Sequence, residues 1–117
     1  MPAIHLIGRI VFGLYFANEG LNHFLHAKGY IGYAGMKKVP MPAVAVYGSG
    51  LIAILGGLGV AFNVYTQIAF SLIVLFLLPV SFFMHDFWKE TDPQKRSSEK
   101  IAFLKNIGLA AASLMLM

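Results

Sequence analysis

Apolar residues run along this chain in four long blocks, and most of the charged residues collect in the gaps between them. A membrane-crossing helix needs about 20 mainly apolar residues, and each block reaches or approaches that length. They predict helices over about 3–24, 42–62, 66–88 and 93–117. Pro42 has the fixed φ that suits a first helical turn, and Asp92-Pro93 reads as a helix start. The last block is apolar only from Ile101 to Met117, so Lys105 is expected to reach for the nearer surface along its own methylenes. Asn63, Val64 and Tyr65 alone join the second and third blocks, which makes those two helices antiparallel neighbours. The stretch HAKGYIGYAGMKKVPMP is predicted to be an interfacial loop, because tyrosine favours the membrane–water boundary. KETDPQKRSSEK is the one stretch that reads as fully solvated. The predicted fold class is all-α, a transmembrane four-helix bundle forming one domain over 1–117.

Composition strengthens the membrane reading. Of the 117 residues 58% are hydrophobic and 12% charged, with a mean hydropathy of +0.72, whereas soluble domains carry about 25% charged residues. A soluble chain this small could not hide so much apolar surface. The net charge of +4 does not point to nucleic acid, because no basic helix or RNA-binding motif accompanies it. Its Lys and Arg instead look like topology determinants: Lys28, Lys37 and Lys38 lie in the first gap, and Lys89, Lys95, Arg96 and Lys100 in the third. The positive-inside rule then makes loops one and three cytoplasmic and both termini external. The N-terminus is not read as a signal peptide, since no Lys or Arg precedes Arg9. With no cysteine, the chain has no disulfide, zinc-thiolate or iron–sulfur chemistry of its own.

Small residues recur every fourth position in the second block at Ala45, Ser49, Ala53, Gly57 and Ala61. Such a ladder lets two membrane helices approach closely, and it is assigned to helix packing, within the bundle or in a dimer. Gly48, Gly50, Gly56 and Gly59 widen the smooth surface, and Gly108 and Ala112 repeat the device in the last block. Pro79 is expected to kink the third helix.

Polar residues inside the blocks are the candidates for chemistry, because ionisable groups are costly in a membrane unless paired or hydrated. At about 100° per residue, Arg9 and His23 share one face of the first helix, Glu19 flanks it, and Asn18 and Asn22 point away. Glu19 and His23 are four apart and can pair. The third block ends SFFMHDFWKE, and antiparallel geometry brings His85 to the level of Glu19 and His23, with Lys105 and Asn106 from the last helix nearby. The ligand-binding candidates are therefore Arg9, Glu19, His23, His85 and Asn106. No metal site is predicted. Bis-histidine haem from His23, His26 and His85 is sterically feasible but disfavoured, because spare histidines are common in such bundles.

The order of these features resembles the DoxX family of small four-helix membrane proteins. The resembling residues are Gly8-Arg9, Gly13, Gly20 and Asn22, then Pro40 and Pro42, Gly56-Gly57-Leu58, His85-Asp86-Phe87-Trp88 and Lys105-Asn106. Members of that family are subunits linked to a terminal quinol oxidase and to thiosulfate:quinone oxidoreduction, and others are linked to oxidative stress. The resemblance implies a multi-pass protein of a bacterial or archaeal cell membrane. Many relatives place an acidic residue shortly before the Gly-Gly pair, where this chain has Ala53, Ile54 and Leu55. If that carboxylate serves proton or quinone chemistry, this chain has lost it or uses Glu19.

The function expected is a quinone-linked oxidoreductase subunit or redox-stress membrane protein, with a quinone-like molecule among the helices. Its partners would be the lipid bilayer and a second copy or another membrane redox subunit. Histidine can pass a proton near neutral pH, but no residue here carries electrons. Two alternatives are a non-catalytic assembly or partner-binding protein and a small proton-coupled transporter using Glu19, which lies near the helix end for that task.

Overall fold

A computed structural model describes residues 2–117; Met1, the first residue of the predicted domain, lies outside them. The fold is all-α. Four long helices carry it: α1 (Pro2–Leu25), α3 (Pro42–Phe62), α4 (Thr66–Met84) and α5 (Pro93–Leu116), with a short α2 (Ala27–Met36) between the first two and a 3-10 turn at Phe87–Lys89. Among the described residues, two helices are long and apolar enough to cross a membrane: Pro42–Phe62 and, counted through the 3-10 turn, Thr66–Lys89.

The first connection is a correction to the sequence reading. It is not a loop: residues Ala27–Met36 form a helix that packs on α3 and reaches α1 and α4. Gly29, Gly32 and Gly35 lower its intrinsic helix propensity, and tertiary burial of Ala34 and Tyr33 against the bundle overrides that penalty. The third long helix also stops earlier than predicted, at Met84, and His85 and Asp86 leave it in irregular, non-helical backbone. Asp92 caps α5 by accepting from the Lys95 N–H at 3.4 Å, directly before Pro93.

Helix α3 is the middle of the bundle. It packs most extensively on α1, then on α4, which in turn packs on α5. Glycines set the distance to both neighbours. A methyl group added at Gly13 would lie 2.6 Å from the Ala61 nitrogen, and one at Gly57 would lie 2.5 Å from the Ala17 nitrogen, so α1 and α3 touch backbone to backbone. Gly20 and Gly50 repeat the contact one level on, where an added Gly50 methyl would meet the His23 Cβ at 2.7 Å. On the other side, Gly56 and Gly59 receive Ala69 and Ile73 of α4. In the predicted ladder, Gly57 and Ala61 meet Gly13 and Ala53 is fully buried, while Ala45 and Ser49 are half-buried near the α2 end. Gly48 and Gly108 face open space within the chain. An aromatic and aliphatic core of Phe16, Phe70, Ile73, Phe76 and Leu77 fills the centre, with Ala110 from α5 closing it. Helices α1 and α5 have no extensive packing between them; a Lys105 Nζ–Tyr15 hydroxyl hydrogen bond of 3.4 Å crosses the gap.

Candidate functional site

Because α1 and α5 stand apart while α2 closes one end, a cavity of about 780 Å³ is left between the long helices and beneath α2. Its walls are mostly apolar, from Phe16 on α1, Val46 and Ile52 on α3, and Phe76 and Leu77 on α4. Polar groups enter from every side, with Ser49 on α3 among them. Glu19 and His23 come from α1, Tyr30 and Tyr33 from α2, His85 from the end of α4, and Lys105 and Asn106 from α5. Pro79 lines the same space; its ring removes one helical hydrogen bond and leaves the Leu75 carbonyl without its usual donor.

His23 is 7% exposed and fixed on three sides. Its Nδ1 lies 3.1 Å from the Val46 carbonyl and 3.2 Å from the Ser49 hydroxyl, which itself donates to that carbonyl at 3.2 Å. The ring stacks on Tyr30 at 4.6 Å between centroids and leans on Phe76 at 5.5 Å. Asn106 is 6% exposed, and its side chain has no hydrogen-bond partner among the described residues. Glu19 lies close enough to Tyr30 to act on it: burial raises the Tyr30 hydroxyl above its ordinary 10.0, and the Glu19 carboxylate adds to the rise.

At the end that it closes, α2 is tied to the α4–α5 connection. Lys37 donates to Asp86 Oδ1 at 2.6 Å. Tyr33 places its hydroxyl 3.3 Å from both the Met84 carbonyl and Glu99 Oε1, and His85 Nδ1 donates to Glu99 Oε2 at 2.9 Å. Burial raises the Tyr33 hydroxyl, and the charge of Glu99 adds to this while Lys37 opposes it. Burial alone would lower Lys37, but its hydrogen bond to Asp86 and the nearby Tyr33, Asp86 and Glu99 outweigh that and hold the ammonium above its ordinary 10.5.

Of the five candidates read from the sequence, Glu19, His23, His85 and Asn106 line this one cavity. Arg9 does not reach it; its Nε is buried without a hydrogen-bond partner among the described residues. Glu19 and His23 share the cavity wall but make no hydrogen bond to each other. Sequence reasoning missed Tyr30, Tyr33, Lys37 and Glu99. For Glu99 a signal existed, because Glu99, Ala102, Asn106, Ala110 and Ser113 recur at helical spacing and all turn inward on α5. The α2 residues carried no such signal in a glycine-broken stretch.

No curated protein and no solved structure matches the chain. The DoxX family model matches residues 4–86, from the first turns of α1 through Asp86, and leaves α5 outside the match. The chain belongs to the DoxX family.

Proposed function

We propose that this protein is a membrane-embedded, quinone-linked redox subunit that holds an apolar ligand with an oxygen-bearing head group in the cavity beneath α2. The reading is supported by one observation above all. A cavity of about 780 Å³ with apolar walls has Glu19, His23 and Asn106 in its lining, with the Asn106 amide unpaired among the described residues. Small-molecule sites have this character, and typical ones span about 300–1,000 Å³. The polar set suits a quinone-like head, since Asn106 can donate or accept and the free ring nitrogen of His23 faces it from a different helix, while the rest of the wall suits a ring and its tail.

A bound quinone would supply two-electron, two-proton chemistry, with electrons delivered or removed by another redox subunit. The chain's own residues bind, orient and exclude water. Phe76 and Tyr30 clamp the His23 ring from two sides, so its cavity-facing nitrogen is held in place. Glu19 lies within electrostatic reach of Tyr30 and places a carboxyl group on the cavity wall. The four long helices cross the bilayer in this reading. The basic residues around α2 and the α4–α5 connection support a cytoplasmic side for that end of the bundle, by the positive-inside rule.

Equilibrium titration of the detergent-purified chain with a short-tailed benzoquinone and its quinol tests the proposal. Micromolar binding is expected, weakened about tenfold in Asn106→Leu, the loss of roughly one hydrogen bond in a dry site. Absence of binding by both forms refutes it.

A further inference from the structure

The His23 ring has two nitrogens, and the protein decides what the free one can do. A backbone carbonyl only accepts hydrogen bonds. With the Val46 carbonyl 3.1 Å from Nδ1, that nitrogen must carry the proton of the neutral ring and donate it. The Ser49 hydroxyl adds to the same arrangement: its single hydrogen goes to the Val46 carbonyl at 3.2 Å, and its oxygen faces Nδ1 at 3.2 Å. The other nitrogen, Nε2, is therefore left as a bare lone pair. It has no hydrogen-bond partner among the described residues, although the side chain is more than nine-tenths buried and lines the cavity. A lone pair in that position is satisfied only by an incoming donor. The Glu19 carboxyl lies on the same wall and accepts hydrogen bonds through its oxygens. Asn106 can serve either polarity and does not bias the choice.

We infer that the cavity selects a ligand bearing a hydroxyl donor, with His23 Nε2 as the acceptor, so that it binds the reduced, hydroxyl form of a quinone-like molecule in preference to the oxidised form. This inference rests on the cavity being the quinone site proposed above. It adds a polarity that cavity size and apolar walls do not supply, and it names Val46 and Ser49 as the positioning groups that fix it. A quinone presents only carbonyl acceptors to Nε2, an acceptor facing acceptors. A quinol presents O–H.

The test uses three probes on the detergent-purified full chain under anaerobic conditions: a decyl-tailed benzoquinol, its oxidised quinone and its dimethyl ether. The ether keeps the quinol's ring, tail and oxygens, adds two methyl groups and removes both donors. The quinol is expected to bind about tenfold more tightly than either of the others, equivalent to about 1.4 kcal/mol. In His23→Phe, which retains an aromatic ring between Tyr30 and Phe76, the preference should fall to within about twofold. Equal binding of all three probes, or preference for the quinone, overturns the inference while leaving the cavity assignment standing. No binding by any of them overturns both. Ring 15N chemical shifts of His23 in the unsubstituted protein give a second reading that does not depend on the variant folding. A protonated Nδ1 and an unprotonated Nε2 are expected, and the opposite tautomer overturns the inference.

Discussion

The glycines of this protein fall into two groups that should respond to the same substitution with opposite sign. At Gly57, an alanine methyl would lie 2.5 Å from the Ala17 nitrogen and 3.1 Å from its Cα, and the carbonyl of Gly13 is closer still. All three are backbone atoms, so no side chain can rotate away and α1 must move off α3. Forcing a methyl into a filled interface costs about 1–3 kcal/mol. The upper end applies here, because the same displacement opens the Gly20–Gly50 contact. Alanine returns about 1 kcal/mol of helix propensity, leaving Gly57→Ala destabilised by about 2 kcal/mol. Gly108 has nothing within 4 Å of an added methyl. There the propensity gain stands alone, and Gly108→Ala should be stabilised by about 1 kcal/mol. At about 4 °C per kcal/mol for a chain of this size, Tm should fall by about 8 °C in the first variant and rise by about 4 °C in the second. Thermal loss of helical circular dichroism in one detergent measures both. An unchanged or raised Tm for Gly57→Ala would refute backbone contact between α1 and α3. Gly13→Ala combined with Gly57→Ala should cost less than the sum of the two, since either one already separates the same helices.

Two further outcomes follow from the ties that hold α2. Replacing Lys37 by Met leaves the buried Asp86 carboxylate unpaired, and about 1–3 kcal/mol of local stability should be lost; protease cleavage between 25 and 41 should quicken, and Lys37→Met with Asp86→Leu should recover most of the loss. Alkali should loosen the same element, because Tyr30, Tyr33 and Lys37 all titrate above their ordinary values in the folded protein. Their contribution is fully present below about pH 10 and is lost as pH rises through the raised folded values, so hydrogen exchange in α2 should speed up above pH 10 before α3 and α4 respond; equal protection of all three would contradict it.

Most of the long helices were legible because their signals are local. Pro42 and Asp92-Pro93 mark helix starts by their own backbone chemistry, and the structure begins α3 and α5 there. The three-residue link at Asn63–Tyr65 is closed by Asn63 in the left-handed conformation, which asparagine tolerates better than most residues. Helix α2 was not legible, since its glycines argue against a helix and its stability comes from Tyr33, Ala34 and Lys37 meeting other elements. Glu99 was hidden in a charged run that looked uniformly solvated, although its spacing to Asn106 carries the inward face of α5. Periodicity placed Arg9 and His23 on one face of α1, but face alone does not give depth. His23 lies under α2, whereas Arg9 sits nearly four turns away along the same helix.

The two-sided glycine surface of α3 makes that helix behave like the spine of a book. It grips α1 on one side and α4 on the other through contacts too close to stretch, whereas the free edges, α1 and α5, meet across the Lys105–Tyr15 hydrogen bond. A long-tailed molecule could pass sideways between α1 and α5 into the cavity without disturbing a single glycine contact along the spine.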